Sequence, residues 1–421
     1  MIKIKRKEDC VGCNACVQVC PKNCINMLMD NQGFLYPNVD LKLCIECNIC
    51  EKVCPVINQN EPRLPENVFA GWNNNETIRI TSSSGGIFNA LAKKTIEEEG
   101  VVFGARFNER WEVIHSYTEN YEGIKAFRGS KYVQSKIGQS YVEAKGFLES
   151  GRKVLFSGTP CQIAGLNRFL RKRYEGLLLT VDVVCHGVPS PKIWKEYLDY
   201  TIRSKETSNT TKLKPSPIHI DELSSIENIS FRDKRVGWEQ FGFVISYSTS
   251  YNNNIQRIQP ILNSKHQKSE LFESFRKNLY MQGFLKDLYL RPACYECPAK
   301  CGKSYSDLTL ADFWGIKRKY PQLYSKKGVS LILSNTTRGE YFLNKLPISL
   351  NPVKYTDALA GNPAIERSAP KPKIYNFFWK EFEKEGIPAI HKIILTIRPG
   401  FIIRTYKRLL HYIDLIIRIL K

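Results

Sequence analysis

Cysteine spacing sets the chemistry of this chain. Cys10, Cys13, Cys16 and Cys20 precede Pro21, and Cys44, Cys47, Cys50 and Cys54 precede Pro55. Each run reads C-x2-C-x2-C-x3-C-P, and the copies are offset by 34 residues. Three thiolates spaced by two residues wrap one iron-sulfur cube, while the fourth, set off by three residues and followed by proline, reaches the other cube. One 4Fe-4S cluster is therefore expected on Cys10, Cys13, Cys16 and Cys54, and a second on Cys44, Cys47, Cys50 and Cys20. Four thiolates also make tetrahedral zinc sites, but zinc rarely uses three close cysteines plus a swapped fourth. A disulfide framework needs an oxidising compartment, and no signal peptide is read before Cys10. Cys24 falls outside the pattern and reads as a small buried apolar residue.

This stretch resembles a bacterial two-cluster ferredoxin over roughly the first 60 residues. Five further cysteines follow: Cys161 in G-T-P-C-Q, Cys185 in V-C-H-G, the C-x2-C pair Cys294 and Cys297, and Cys301. Cys161 and Cys185 each stand at the end of a predicted strand, and such ends converge on the binding crevice of an α/β sheet. A third cluster on Cys161, Cys185, Cys294 and Cys297 follows, with Cys301 as a substitute ligand. A zinc site built on the Cys294/Cys297 pair and metal-free buried thiols are the alternatives. His186 adjoins Cys185 and is a ligand or proton donor, or a structural hydrogen-bonder.

Two Ser- and Gly-rich turns run into predicted helices: Thr81 to Gly86 and Ser157 to Cys161. Such turns favour phosphate through free amide donors and the positive helix end. Lys131, Gln134 and Lys136 in S-K-Y-V-Q-S-K can add charge-assisted contacts, or form a solvated basic turn. No G-x-G-x-x-G follows a strand, so a plain NAD site is not supported.

The elements that must position these residues alternate. Phe69 to Trp72, Val101 to Phe107, Val113 to Tyr117, Val154 to Phe156, Leu177 to Val184 and Leu308 to Ala311 read as strands. The segments after Gly86, Gln162 to Tyr174 and Ser274 to Leu290 read as helices, with the serines before Ile87 free to cap the first. Phe231 to Ser248 reads as a strand pattern, residues 203–228 as an exposed insertion, and Val56 to Val68, with Pro62 and Pro65, as a linker. The fold class is α+β: a small two-cluster ferredoxin-like domain (1–60), a mixed α/β domain in two parts (68–150 and 151–370), and a basic amphipathic tail (371–421). In 401–421 the apolar positions recur at helical spacing, with five basic residues among six charged ones between them. That helix can lie on an anionic membrane or pack on protein.

A chain of 421 residues has room for two or three domains. Its composition, 43% hydrophobic and 24% charged, is that of an ordinary globular protein. No apolar run approaches the roughly 18 residues of a membrane span. A net charge of +21 points to an acidic partner, and residues 370–421 hold eleven Lys/Arg against four Asp/Glu. No nucleic-acid motif or aromatic-basic interleaving is present, so nucleic acid is not expected as that partner. The expected place is the cytoplasm, with the tail able to meet the inner face of the membrane.

R-I-T-S-S-S-G-G, K-Y-V-Q-S-K, F-S-G-T-P-C-Q-I-A-G-L, V-C-H-G-V-P-S-P, R-P-A-C-Y-E-C-P and D-L-T-L-A-D-F-W-G occur in this order. That series resembles the coenzyme F420 hydrogenase/dehydrogenase beta-subunit family over about residues 69–335. The resemblance implies FAD, held by Ser82, Ser83, Ser84, Gly85, Gly86, Lys131, Gln134, Lys136, Ser157, Gly158, Thr159 and Pro160, beside a third 4Fe-4S cluster. It implies an oxidoreductase that passes electrons between an external ferredoxin or redox partner subunit and an organic substrate or deazaflavin-like coenzyme. The fused dicluster domain and basic tail are similar to the bacterial branch that accompanies cell-surface polysaccharide synthesis, and Cys301 departs from the family pattern. An electron-carrier or adaptor subunit without a substrate of its own is the competing expectation.

Overall fold

The structure, a computed structural model, describes residues 1–209, 226–249 and 267–397. Between the two cysteine runs the chain folds into an antiparallel hairpin, β1 (Ile25–Met29) with β2 (Leu35–Val39). Asp30 closes it, its Oδ1 accepting the amides of Gln32 and Phe34 at 3.1 and 2.9 Å, as a short acidic side chain does in a turn. Short helices Ala15–Gln18 and Ile49–Lys52 carry Cys16 and Cys50.

Eight strands then form one sheet: β3 (Asn67–Asn73), β4 (Val101–Phe107), β5 (Val113–Thr118), β6 (Val154–Gly158), β7 (Leu178–Val183), β11 (Leu308–Asp312), β12 (Ser330–Ser334) and β13 (Ile348–Pro352), once β8 (Ile226–Asp233), β9 (Gly242–Thr249) and β10 (Gln267–Ser274) are counted as a separate three-stranded sheet. The order across the large sheet is β13-β3-β12-β11-β7-β6-β4-β5. Strands β4, β6, β7 and β11 run parallel at its centre, flanked by antiparallel β5 on one side and β12, β3 and β13 on the other. Central parallel strands are covered on both faces, which is why Val154, Leu155, Phe156, Leu179 and Val181 are apolar without alternation and all buried. Strands drawn from before and after residue 150 are thus hydrogen-bonded into a single sheet.

The predicted strands at 69–72, 101–107, 113–117, 154–156, 177–184 and 308–311 all form. Elsewhere the chain differs from its local pattern. Phe231 to Ser248 is two strands of a hairpin: the chain turns at Gly237 (φ 119°) and makes the short 3-10 turn Trp238–Gln240 before β9. Of Ser274 to Leu290 only Leu279–Phe284 is helical, because Asp287 adopts a left-handed φ of 59° and Leu288 to Leu290 continue as buried chain. The serines do not cap the helix Ile87–Glu97. Its cap is Gly86 at φ 83°, while Ser82 Oγ donates to the Ile78 carbonyl at 2.7 Å and closes the preceding short helix Glu76–Thr81.

Helices Tyr375–Glu385 and Pro388–Ile397, within the segment 371–421, bury Phe378, Trp379, Phe382, Ile390, Ile393 and Ile394 in the largest apolar core. That core also takes Trp194 and Tyr197 of the helix Pro191–Asn209, the inner face of the three-stranded sheet, and Phe34 and Tyr36 of the ferredoxin hairpin. The amphipathic helix expected at 401–421, and most of the insertion expected at 203–228, lie outside the described residues. Among the described residues no helix is long and apolar enough to cross a membrane.

Trp194 sits within 6.5 Å, centroid to centroid, of Phe107, Tyr197, Phe231, Phe243 and Tyr280, and its indole N–H donates to the Trp111 carbonyl at 2.7 Å. Trp194→Ala is expected to cost about 3–5 kcal/mol, the range for truncating a large buried aromatic. A lowered urea midpoint with intact iron content in the native protein checks it; an unchanged midpoint refutes it.

Candidate functional site

The cysteines gather into three small cavities. Cys10, Cys13, Cys16 and Cys54 line one, walled by Ile2, Val11 and Pro55. Cys20, Cys44, Cys47 and Cys50 line another, walled by Pro21, Ile25 and Ile49. The fourth cysteine of each run therefore crosses to the other run's cavity, the exchange that the x3 spacing requires. The Ile2 amide donates to Cys50 Sγ at 3.2 Å, a contact of the kind that sets a cluster's potential. Burial pushes the Cys16 thiol up to about 12 and the Cys13 thiol well above its usual range, so neither ionises readily without a metal to hold its sulfur.

Cys24 is buried, as expected, but is more than filler. Its Sγ lies 3.3 Å from Cys20 Sγ and it shares the second cavity. That contact with Cys20, and then burial, push its thiol up to about 12.

The third cavity is lined by Cys161, Cys185, Cys294 and Cys297. Sheet topology brings the first two together: Cys161 follows β6 and Cys185 follows β7, adjacent parallel strands that end on the same edge. Cys161 sits in the first turn of the helix Pro160–Leu170, where Thr159 and Gln162 form a capping box and Pro160 starts the helix. Cys294 and Cys297 arrive on and just after the 3-10 turn Pro292–Glu296. Burial pushes the Cys161 thiol up to about 12 and the Cys185 thiol up to about 11. Cys301 stands apart; its Sγ faces the Glu366 carbonyl at 3.6 Å.

Two buried cations complete this cavity, and neither was singled out by its sequence context. Arg291 is 1% exposed and donates only to neutral groups: Nε to the Cys10 carbonyl at 2.6 Å, one terminal nitrogen to Gln134 Oε1 at 3.0 Å, the other to the Leu35 carbonyl at 2.9 Å. Lys300 is 8% exposed and its Nζ donates to the carbonyls of Cys185 and Ala364 at 2.6 and 2.7 Å. Buried cations are normally paired with anions. Four thiols beside two cations held only by carbonyl and amide oxygens make a donor set that fits a net-negative metal–thiolate cluster. Among the described residues no three His, Cys, Asp or Glu side chains are arranged to hold a single metal ion.

The first and third cavities share a wall. Val11 lines both, and the Val188 amide donates to Cys294 Sγ at 3.4 Å on the far side. The helix Pro160–Leu170 presses against Cys13 at Gly165, where a Cβ would fall 2.9 Å from Cys13 Cβ and 3.1 Å from its Sγ. Gly12 likewise has no room for a side chain: a Cβ there would meet Arg291 and Gln134 at 2.8 Å.

The residues expected to hold FAD lie along the same edge of the sheet, with their polar atoms bonded to protein. Ser83 Oγ accepts the amide and hydroxyl of Ser130, Ser84 Oγ donates to the Val329 carbonyl, and the Gly85 amide donates to Ser330 Oγ. Ser157 Oγ donates to the Phe103 carbonyl, and the Thr159 amide donates to Gln162 Oε1. Lys131 Nζ donates to the carbonyls of Ala126, Arg128 and Gly129, and burial lowers it to about 7. Gln134 bridges Arg291 to the Val11 carbonyl, and Lys136 pairs with Glu112 at 2.7 Å.

Around the Ser82 to Gly86 turn stand further cations that the motifs did not announce. Arg79, Arg128, Arg232 and Lys234 join Lys131, and among the described residues the one carboxylate bonded to any of them is Asp312, on Arg232 at 2.7 and 3.0 Å. Arg128 Nε and Arg232 Nε are buried without a partner among the described residues. That surplus of positive charge suits the phosphates of a dinucleotide. From it an aromatic row, Tyr132 on Phe284 (4.8 Å) and Phe284 on His186 (5.6 Å), leads to the third cavity, where His186 Nε2 meets Asp287 Oδ1 at 2.5 Å.

This donor set defines an iron-sulfur redox protein. Residues 9–58 match the 4Fe-4S dicluster domain, and residues 151–349 match the carboxy-terminal part of the coenzyme F420 hydrogenase/dehydrogenase beta subunit. A chain from the F420-reducing NiFe hydrogenase complex of Methanosarcina barkeri, studied by xenon derivatization, is similar at 15% identity and a TM-score of 0.42, over 79% of this chain and 92% of that one. No curated protein matches.

His115 bridges the two halves of the candidate flavin edge, with Nδ1 2.9 Å from Ser135 Oγ and Nε2 3.0 Å from the Ser157 carbonyl. Burial lowers it from 6.5 to about 4, so the folded protein keeps it neutral. The unfolded chain then binds the extra proton between these values, and stability falls as pH drops from 6.5 through about 4. The loss amounts to about 3 kcal/mol at the acid end. His115→Gln is expected to flatten that part of the stability–pH curve; an unaltered slope refutes it. For Arg291→Met, each of three buried acceptors left without its donor costs about 1–3 kcal/mol. The expected result is a ferredoxin domain released by protease cleavage in 56–66, where the unsubstituted chain resists.

Proposed function

We propose that the protein is an iron-sulfur flavin-dependent oxidoreductase that takes electrons from an external carrier or redox subunit and delivers them to an organic substrate or a deazaflavin-like coenzyme. The observation that carries this reading is the third cavity: four thiols from three separate segments, two buried cations, and a wall at Val11 in common with the dicluster domain. Cys161, Cys185, Cys294 and Cys297 would hold a third 4Fe-4S cluster there, and the cations around Ser82 to Gly86 would hold FAD. Bound so, the clusters would supply one-electron carriers and the flavin an acceptor that handles one or two electrons.

The chain's own residues do the rest. Arg291 and Lys300 offset negative charge at the third site, and the Val188 amide steadies Cys294. Val11 and Gly165 hold the dicluster domain against the helix that carries Cys161, which keeps the path short. Asp287 orients His186, whose side chain is 42% exposed and can exchange a proton with solvent at the cavity rim.

A second reading, a cluster relay or adaptor with no flavin, draws support from one observation. Lys131, Gln134 and Lys136 already have protein partners. Iron, sulfide and flavin assayed on one anaerobic preparation, beside Cys161→Ser, separate the two. About twelve irons and one FAD, with about four irons lost in the variant, are expected. About eight irons, no flavin and no change in the variant would overturn the proposal.

A further inference from the structure

Opposite the candidate flavin edge, the dicluster domain and the α/β domain form an open cleft of about 770 Å³. Seven basic side chains and one acidic side chain line it. The acid, Asp307, is already saturated: Oδ2 accepts the Thr180 amide and hydroxyl at 2.9 and 2.8 Å, and Oδ1 accepts the Thr336 hydroxyl at 2.9 Å. Three of the bases are anchored, Arg63 on the Ser306 carbonyl, Arg168 on Asn60 and Arg338 on the Leu178 carbonyl. The other four, Lys52, Arg171, Lys172 and Arg173, are exposed and pair with no carboxylate among the described residues.

We propose that this cleft docks an acidic protein electron carrier, which makes it the entry port to the dicluster domain. The inference rests on the redox reading above. Two observations select this occupant. The cleft's four exposed cations are unpaired with carboxylates among the described residues, with Lys172 resting over the Tyr174 ring at 4.5 Å, as in interfaces steered by complementary potential. Its upper wall, Lys52 and Val53, is the pair of residues bracketed by Glu51 and Cys54, beyond which Cys50 faces the second cavity while Cys54 faces the first. A carrier seated there stands against the backbone that joins ligands of both sites. The exchange itself is simple: the carrier is oxidised by one electron, one cluster of the dicluster domain is reduced, and no bond or proton moves.

The test is calorimetric binding of an acidic bacterial ferredoxin, oxidised on both sides so that no turnover is needed, to the metal-loaded full chain. The expected affinity weakens at least about tenfold between about 50 and about 300 mM NaCl. The triple variant Lys52→Glu/Lys172→Glu/Arg173→Glu is expected to weaken it at least about tenfold, while Lys93→Glu/Lys317→Glu/Lys354→Glu, with the same change in net charge at exposed sites elsewhere, changes it less than about twofold. Equal losses in the two variants would overturn the proposal in favour of diffuse attraction. So would absence of binding at low salt, or one-to-one binding of pyrophosphate in the cleft with ferredoxin affinity unaffected by the first variant. Iron and flavin content, measured on the same samples, judges the redox reading independently, so failure of the port is distinguishable from failure of that reading.

Discussion

The arrangement depends on a buried cation with no charged side chain bonded to it. Arg291 lies at the seam of the two domains, and its donors hold three chain segments: Cys10 in the first cysteine run, Leu35 at the start of β2 in the ferredoxin hairpin, and Gln134 in the α/β domain. A guanidinium out of water costs several kcal/mol unless charge nearby offsets it. Its hydrogen-bond partners are neutral, so the offset has to come from the thiolate sites on either side. The same residue therefore joins the domains mechanically and couples their electrostatics. Lys300 repeats the logic on the other wall of the third cavity.

Around that seam the sheet does the positioning. Parallel β6 and β7 end side by side, and their following turns deliver Cys161 and Cys185 to one point. The rest of the cavity comes from the 3-10 turn Pro292–Glu296, which carries Cys294 and sets Cys297 just beyond its end. The ferredoxin domain packs by its Cys13 side on the helix Pro160–Leu170 and by Phe34 and Tyr36 on the largest apolar core. It is thus held by apolar contact at two places and not tethered by its linker alone.

The sheet edge beyond β3 and β11 carries a different balance. Arg79, Lys131 and Lys234 are each satisfied by backbone carbonyls, which spares hydrogen bonds but leaves their charge uncancelled; burial accordingly lowers both lysines to about 7. Asp312 of the D-F-W-G motif is spent on Arg232 and on the Trp238 indole. Trp314 of that motif stacks on Trp238 at 5.1 Å, so the motif's function in the fold is to fix the three-stranded sheet against the large one.

The sequence by itself determined what is local. The C-x2-C-x2-C-x3-C-P runs imply their own exchange of ligands, because the spacing limits where each sulfur can reach, and the apolar β-branched runs specify the central strands through burial on both faces. Tertiary structure decided what depends on distant partners. Arg291 is only the first residue of R-P-A-C-Y-E-C-P until Cys10, 281 residues away, accepts its hydrogen bond, and Lys300 is one lysine among many until Cys185 and Ala364 enclose it. The hairpin of β8 and β9, and the short reach of the helix at 279–284, were hidden because left-handed turns at Gly237 and Asp287 interrupt patterns that looked continuous. The serines of the Ser82 to Gly86 turn carry the type of a cap but not its role, since the following helix starts from Gly86 in the left-handed conformation, which glycine adopts without cost. The basic cleft is likewise invisible in the chain, for its charges come from both domains and meet only when the apolar seam closes.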